Sequence, residues 1–283
     1  MGTMSATRRV QTPGLGFEVL EAGSGPLALC LHGFPDSPFT WRYLLPVLAD
    51  AGFHAVAPYM RGYAPSDVPA DGDFSRDALG EDAVALHEAL GADERAVLIG
   101  HDWGAAAAYR ASVLAPERWR RVVALGIPPP GLDARVFTDY AQLRRFFYMF
   151  VFQMPFAEDL VAAGELGFVA WLWAQWSPGY EASEDLYWVR RSLAERPNLS
   201  AALGYYRALF AGGAAGGPPT PPPQPTLYLH GEEDGCIGVE LVRDAREHLV
   251  EGSRAEFIAA AGHFLHLERS DEVGSLITEW ISG

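Results

Sequence analysis

Asp102 is the residue whose type and spacing point most directly to chemistry in this sequence. It lies in the segment AVLIGHDWG, between Gly100 and Gly104, where an apolar run gives way to a helix-forming run. A sharp turn from strand to helix crowds its apex and needs small residues two positions before and after it, as in the nucleophile elbow G-x-S-x-G. The spacing predicts that Asp102 is a nucleophile. The alternative is a helix N-cap, a position that Asp favours.

A carboxylate nucleophile favours one class of substrate. Unlike a serine, a carboxylic acid is ionised at neutral pH, so no base is needed for the attack. Attack on an ester carbonyl would give a reactive anhydride, whereas attack on an sp³ carbon that bears a leaving group gives a stable ester. We therefore expect an alkyl ester of Asp102, which an activated water must then hydrolyse.

The water needs a base, and a histidine held by a carboxylate is the usual one. His263, in AAAGHFLHLERSDEV, follows the last apolar run that reads as a strand. Asp234, in LYLHGEEDGC, follows the penultimate one, and we expect it to orient the imidazole. Glu232 and Glu233 are rival candidates for the same role, since acidic residues are also common turn formers.

An oxyanion that forms on the Asp102 ester needs preorganised N–H donors. The segment LHGFPDSPFTWR follows the first clear apolar strand, and its glycine allows the backbone to approach a ligand closely. We predict that the backbone N–H groups of Phe34 and Trp103 form this oxyanion hole. We expect His32, in the same segment, to be structural.

The elements that must position these residues alternate along the chain. Fully apolar strands separated by helices predict a mainly parallel sheet that is covered on both faces, an α/β architecture. Apolar strand candidates span residues 27–33, 54–58, 96–100, 121–127, 226–231 and 256–260, and GFEVLEAGSG near the start adds another strand and turn. Helical candidates span residues 39–50, 76–90, 103–115, 238–250 and 270–281.

The alternation stops between residues 128 and 212, where helical spacing and many aromatic residues predict a separate lid. Residues 213–223 are rich in Gly and Pro and read as a connector back to the sheet. We therefore divide the chain into a core of residues 10–127 and 224–283, a helical lid of residues 128–212, and this connector.

Composition limits the partners and the compartment. With 21 basic and 36 acidic residues the formal charge is −15, which opposes binding to nucleic acid or to an anionic membrane. No apolar run is long enough for a signal peptide or a membrane span. Two cysteines suggest neither a disulfide framework nor a metal cluster, so we expect a cytoplasmic protein without metal or cofactor. The oligomeric state stays open, and a homodimer is one of the options.

The motifs together resemble those of the epoxide hydrolases, within the α/β-hydrolase superfamily. HGFPDSPFTW, GHDWG, the acid turn GEED and GHFLHLE are similar to that family's motifs in identity, order and spacing. The resemblance implies an α/β-hydrolase fold over nearly the whole chain, with an inserted helical lid. It also implies hydrolysis of a small apolar or aromatic epoxide to a vicinal diol, through an Asp ester and without cofactor or metal.

The resemblance also assigns two lid tyrosines. Opening an epoxide generates a strongly basic alkoxide, so donors with a pKa near 10 must protonate it. FYMFVFQMP looks like the family segment that carries the first such tyrosine, Tyr148, and GYYRALF looks like the second, with Tyr206. We expect both to bind the substrate together with Phe34 and Trp103. For any lid aromatic, including Tyr205 next door, the alternative role is packing.

Two other functions fit part of the pattern. The elbow with its adjacent Trp103 also resembles the corresponding turn of haloalkane dehalogenases, in which an indole N–H binds the departing halide. Phe34 stands where such enzymes commonly have an Asn, so Trp171 or Trp173 of the lid would have to supply the second donor. A non-catalytic protein that binds a small ligand is the other alternative, because a fold does not guarantee chemistry. The retained nucleophile, acid, base and tyrosines argue against it.

Overall fold

The computed structural model describes residues 7–132, 135, 137–212 and 220–283. Within these residues eight strands form one sheet in the order β1-β2-β4-β3-β5-β6-β7-β8. Neighbours from β4 to β8 are parallel, whereas β2 pairs antiparallel with both β1 and β4. The mainly parallel sheet is confirmed. The strands are β1 Arg8–Gln11, β2 Gly16–Gly23, β3 Leu27–Leu31, β4 His54–Pro58, β5 Val97–His101, β6 Arg121–Leu125, β7 Thr226–Gly231 and β8 Arg254–Ile258.

Helices cover both faces of the sheet, and more lie between β6 and β7. The core helices are α1 Leu44–Asp50, α2 Arg76–Ala89, α3 Trp103–Leu114, α9 Leu265–Glu268 and α10 Ser270–Ser282. Those between β6 and β7 are α4 Tyr140–Arg145, α5 Phe147–Val151, α6 Ala157–Trp176, α7 Ser183–Leu193 and α8 Arg196–Ala211.

Burial explains why the central strands consist of apolar residues throughout. Every residue of β3, β5 and β7 is buried, because helices pack against both faces of the sheet. One apolar cluster joins one face to α1 and α10. A second cluster joins the other face to α2, α3 and the helices between β6 and β7. Alternate residues of each strand therefore stabilise opposite sides of the molecule.

The predicted helix over 238–250 is wrong. Two short 3₁₀ turns, Val239–Leu241 and Ala245–His248, replace it. Their hydrogen bonds run from the N–H of Leu241 to the carbonyl oxygen of Gly238 and from the N–H of Glu247 to that of Asp244, three residues apart. β-branched residues and Asp lower the helix propensity of this segment. The carboxylate of Asp244 also pairs with Arg135 at 2.8 Å, and this tertiary contact competes with a continuous helix.

Smaller differences concern chain segments near the start of the core. The predicted helix over 39–50 divides into a 3₁₀ turn, Pro38–Trp41, and α1. The sequence did not predict β1, whose pattern RRVQ is mostly polar and exposed.

The segment between β6 and β7 coincides with the stretch that we assign to the lid, and the division into core, lid and connector stays a prediction. Residues 133, 134 and 136 of the lid and 213–219 of the connector lie outside the described residues. α6 is interrupted where Gly164, Glu165 and Leu166 take positive φ values of 61°, 56° and 63°. None of the helices in the described part of the chain has the length and apolar character of a membrane span.

Candidate active site

The apex between β5 and α3 is a strained turn. Asp102 has φ 52° and ψ −123°, a conformation that costs energy for any residue other than glycine. A Cβ atom on Gly100 would overlap the carbonyl oxygen of Gly104, and one on Gly104 would overlap that of Leu31. The Asp102 side chain caps no backbone N–H of α3. The geometry is therefore that of a nucleophile elbow and not of an N-capping aspartate.

The loop after β3 lies beside this turn because β3 and β5 are neighbours in the sheet. The backbone N–H of Phe34 donates a hydrogen bond of 2.8 Å to Oδ1 of Asp102. A Cβ atom on Gly33 would overlap the same carboxylate, so only glycine permits this approach. Phe34 thus lies where we predict an oxyanion donor. Trp103, the other predicted donor, is the first residue of α3, and its role stays a prediction.

Neighbouring strands also bring the candidate acid and base together. Asp234 follows β7 and His263 follows β8, and Nδ1 of His263 lies 2.9 Å from Oδ2 of Asp234. Oδ1 of Asp234 accepts hydrogen bonds from the backbone N–H groups of Cys236 and Ile237. Nε2 of His263 lies 3.7 Å from Oδ2 of Asp102 and has no hydrogen-bond partner among the described residues. The imidazole therefore bridges the two carboxylates.

The rival acids do not reach the imidazole. Glu232 is exposed and pairs with Arg243 at 3.1 Å, and Glu233 is exposed as well. His32 is buried, and its Nε2 accepts a hydrogen bond from the backbone N–H of Met60, which fits the structural role expected for it.

Electrostatics set the protonation state of the imidazole. Burial by itself would lower the pKa of His263, but the negative charges of Asp234 and Asp102 outweigh it and raise the pKa to about 10. The ring is therefore an imidazolium at neutral pH. Covalent capture of Asp102 as an ester would remove one of these charges and favour the neutral ring.

Both predicted lid tyrosines face the elbow. Tyr148 from α5 and Tyr206 from α8 are buried, and their rings pack edge to face with centroids 5.6 Å apart. The Tyr206 ring also packs edge to face against Phe34 and Trp103, at 5.2 Å from each. Burial, followed by the charge of Asp102, raises the pKa of Tyr206 well above its usual value. Its hydroxyl thus keeps its proton at neutral pH.

Tyr205, which directly precedes Tyr206 in the sequence, lies in a different environment. Its hydroxyl donates a hydrogen bond of 2.8 Å to the carbonyl oxygen of Arg61. Its ring packs against Tyr63, Phe74 and the side of Trp103, and the structure shows no ring contact with Tyr148 among the described residues. Tyr205 therefore secures α8 to the loop after β4.

A pocket borders Asp102 and both predicted tyrosines. Its unfilled space is about 580 Å³, which includes the part open to solvent. Most of the other residues in its wall are apolar. The pocket is lined by Arg76, Asp102, Trp103, Ala106, Ile127, Pro128, Phe137, Phe146, Tyr148, Met149, Tyr206, Leu209, Cys236 and Ile237.

Neither lid tryptophan considered as a halide donor lines this pocket. The Nε1–H of Trp173 donates to the carbonyl oxygen of Pro35 at 2.8 Å. Trp171 is 46% exposed and packs against Phe147 and Phe168. A second halide donor from these two residues is therefore not available in this arrangement.

Sequence reasoning missed the residues that hold the base in place. The carbonyl oxygen of Trp176, at the end of α6, accepts hydrogen bonds from the N–H groups of both Gly235 and His263. The hydroxyl of Ser177 accepts from the N–H of Phe264 and donates to Glu268. These contacts tie the end of α6 to the loops that carry Asp234 and His263. No local pattern reveals them, because they join segments about 60 to 90 residues apart.

Two groups of buried side chains among the described residues bring together atoms that could bind a metal. One consists of Asp234, Cys236 and His263. The other consists of Asp36, His101 and His266, in which burial raises the pKa of Asp36 and lowers that of His266 to about 3. Burial therefore favours the uncharged forms of Asp36, His101 and His266 in this second set.

Comparison with known proteins gives a consistent result. The sequence profile of the α/β hydrolase fold matches residues 26–270. An epoxide hydrolase of Caballeronia sordidicola is 30% identical over 96% of this chain and 92% of its own length. Epoxide hydrolase A of Mycobacterium tuberculosis is 31% identical over 98% of this chain and 97% of its own length. The crystal structure of epoxide hydrolase A from Mycobacterium thermoresistibile superposes with a TM-score of 0.82, at 28% identity and 98% coverage of each chain. The predicted α/β-hydrolase fold is confirmed.

Proposed function

This chain belongs to the epoxide hydrolase family, whose members have the α/β-hydrolase fold and act on the ether bond of epoxides, and from that membership we propose a specific mechanism. A small apolar or aromatic epoxide is opened to a vicinal diol through an ester on Asp102. The observation that supports this most strongly is that Asp102, Tyr148 and Tyr206 line one largely apolar pocket. The imidazole of His263 lies beside the same carboxylate.

In the first step the oxirane oxygen accepts hydrogen bonds from Tyr148 and Tyr206. Oδ2 of Asp102 attacks one ring carbon from the opposite side, the ring C–O bond breaks, and a tyrosine proton passes to the departing oxygen. Oδ1 keeps its hydrogen bond from Phe34 and becomes the carbonyl oxygen of the ester. The tyrosine regains a proton from solvent.

In the second step the ester is hydrolysed. Once Asp102 is an ester it carries no charge, so of the two carboxylates only Asp234 still stabilises the imidazolium form of His263. The ring then releases a proton to solvent. The neutral ring, oriented by Asp234, then deprotonates a water that adds to Cγ of Asp102. The oxyanion forms at Oδ1, where the N–H groups of Phe34 and Trp103 stabilise it. On collapse the bond between Cγ and the substrate oxygen breaks, and the proton of the added hydroxyl group passes to that oxygen. The diol is released, Asp102 is again a carboxylate, and His263 keeps the proton that it took from water.

Incubation with an epoxide and with an alkyl halide tests the proposal. Wild-type protein should convert styrene oxide to its diol and release no bromide from 1-bromobutane. Asp102→Asn should abolish diol formation, whereas Asp50→Asn, which changes an exposed aspartate of α1, should leave it unchanged. Bromide release without diol would establish a dehalogenase instead, and neither product with any epoxide would support a non-catalytic ligand-binding role.

We also propose a cytoplasmic location. Cys30 and Cys236 are both free and buried, which suits a reducing compartment. The formal charge of −15 supports our expectation that neither nucleic acid nor an anionic membrane is a partner.

A further inference from the structure

The thiol of Cys236 occupies a place in the pocket that the proposed mechanism leaves without a role. Its Sγ lies 3.7 Å from the hydroxyl oxygen of Tyr148, within the range of a hydrogen bond to sulfur, and either atom can donate. Cys236 is 1% exposed and lines the pocket together with Asp102. The pair joins α5 of the lid to the loop that follows β7.

The backbone around this thiol is fixed from both sides. The N–H of Cys236 donates to Oδ1 of Asp234 at 2.6 Å, and its carbonyl oxygen accepts from the side-chain amide of Gln142 at 2.7 Å. The sulfur is therefore held against Tyr148 by the same loop that holds the acid of the triad.

The chemistry at Tyr148 calls for a partner of this kind. Burial raises the pKa of Tyr148 well above its usual value, which makes the phenol a weak acid for the departing alkoxide. Burial also raises the pKa of Cys236, so that the sulfur keeps its proton at neutral pH. A protonated thiol beside a phenol that must give up a proton can act as a hydrogen-bond donor to the phenolic oxygen.

We propose that Cys236 is a positioning residue for ring opening, which donates its S–H to the Tyr148 oxygen while Tyr148 donates its own proton to the oxirane oxygen. This inference rests on the proposed function. As the Tyr148 O–H bond breaks and the proton passes to the alkoxide, negative charge grows on the phenolic oxygen. The S–H group stabilises that charge without losing its proton.

Single-turnover measurements test the inference. Formation and hydrolysis of the alkyl-enzyme are timed separately, by quenching and intact mass, for Cys236→Ala and Cys236→Ser with styrene oxide. Loss of a hydrogen bond to a developing charge should slow ester formation about tenfold in Cys236→Ala and leave ester hydrolysis unchanged. Cys236→Ser, which retains a donor, should recover most of the rate.

A double-mutant cycle with Tyr148→Phe separates this role from packing. In the Tyr148→Phe background, Cys236→Ala should change ester formation by less than about twofold, because the group through which the thiol acts is already absent. Cys30→Ala is the matched control: Cys30 is also free and buried, but it lies in β3, and its replacement should leave ester formation unchanged.

The basicity of the leaving oxygen provides a second readout. The loss in Cys236→Ala should be smaller for 1,1,1-trifluoro-2,3-epoxypropane than for 1,2-epoxybutane, because the fluorinated alkoxide needs less help from an acid. An equal loss for both epoxides, or an equal loss in the Tyr148→Phe background, would overturn the role of Cys236. Absence of an alkyl-enzyme even in the wild type would instead overturn the proposed function, and the role of Cys236 with it.

Discussion

The backbone N–H of Phe34 binds Oδ1 of Asp102 at 2.8 Å, so the two oxygens of this carboxylate differ before any substrate arrives. Oδ1 lies where the ester carbonyl would be, whereas Oδ2 lies 3.7 Å from Nε2 of His263. The loop after β3 reaches Asp102 because β3 pairs with β5, and Gly33 leaves room for the contact. The fold thus gives the two oxygens different surroundings, and the proposed mechanism uses Oδ1 for stabilisation and Oδ2 for attack.

Replacement of the base should separate the two half-reactions. His263→Gln retains Asp102 and both tyrosines, so the ester should still form, but no base is left to activate water. We expect turnover to fall by about 10³-fold or more and the protein mass to rise by the mass of one epoxide. Intact mass spectrometry after incubation with styrene oxide checks this. Normal turnover in this variant would disprove the assignment of the base.

The adjacent tyrosines of α8 provide a matched pair. Tyr206→Phe removes a hydroxyl that faces Asp102 and should slow ester formation about 10²-fold. Tyr205→Phe removes a hydrogen bond to the Arg61 carbonyl and should cost about 1 kcal/mol of unfolding free energy with little change in rate. Single-turnover kinetics and urea unfolding of both variants test the pair. The reverse pattern would mean that Tyr205 is the donor.

The charge on Asp102 should control the titration of His263. The pKa of His263 is about 10 because Asp234 and Asp102 together outweigh its burial. Asp102→Asn removes one of these charges, so the pKa should fall, and NMR titration of the imidazole measures the change. Since the folded pKa lies above the unfolded one, His263 stabilises the fold fully below about pH 6.5, and this contribution is lost as the pH rises through about 10. An unchanged pKa in Asp102→Asn would show that the two groups are not coupled.

Buried neutral histidines should make the fold sensitive to acid. Burial lowers the pKa of His266 to about 3, below its unfolded value, so the unfolded chain binds more protons as the pH falls below about 6.5. His266→Gln should reduce the loss of unfolding free energy between pH 7 and pH 4 by about 1 to 3 kcal/mol. Urea unfolding at both pH values measures this. His248→Gln, at a partly exposed surface histidine, is the control and should show the full wild-type loss.

Local patterns were sufficient to predict the elements on which the site depends. The predicted strands at 54–58 and 226–231 coincide with β4 and β7, because fully buried strands leave long apolar runs. The elbow was predictable because its tight turn restricts Gly100 and Gly104 to the smallest residue. In the parallel part of a sheet the carboxyl ends of the strands meet at one edge, so the order of the motifs implied that their residues converge.

Contacts between distant segments explain the rest. The pairing of Cys236 with Tyr148 spans 88 residues, and the contact of Trp176 with the base loop joins the lid to the core. The periodicity of apolar residues along the sequence does not reveal such contacts. The predicted helix over 238–250 was wrong, because two 3₁₀ turns occupy a segment whose β-branched residues and Asp lower its helix propensity. The edge strand β1 was not predicted, because only one of its residues, Val10, is buried in the core.

Oxygen tracing in a single turnover tests the central claim most directly. Excess enzyme is mixed with styrene oxide in ¹⁸O-labelled water, and both the diol and the peptide that contains Asp102 are analysed by mass spectrometry. If Asp102 forms an ester that water attacks at Cγ, the label should enter the Asp102 side chain, and the first diol should carry only unlabelled oxygen. A labelled diol with an unlabelled Asp102 would mean that water opens the epoxide directly and would contradict the account.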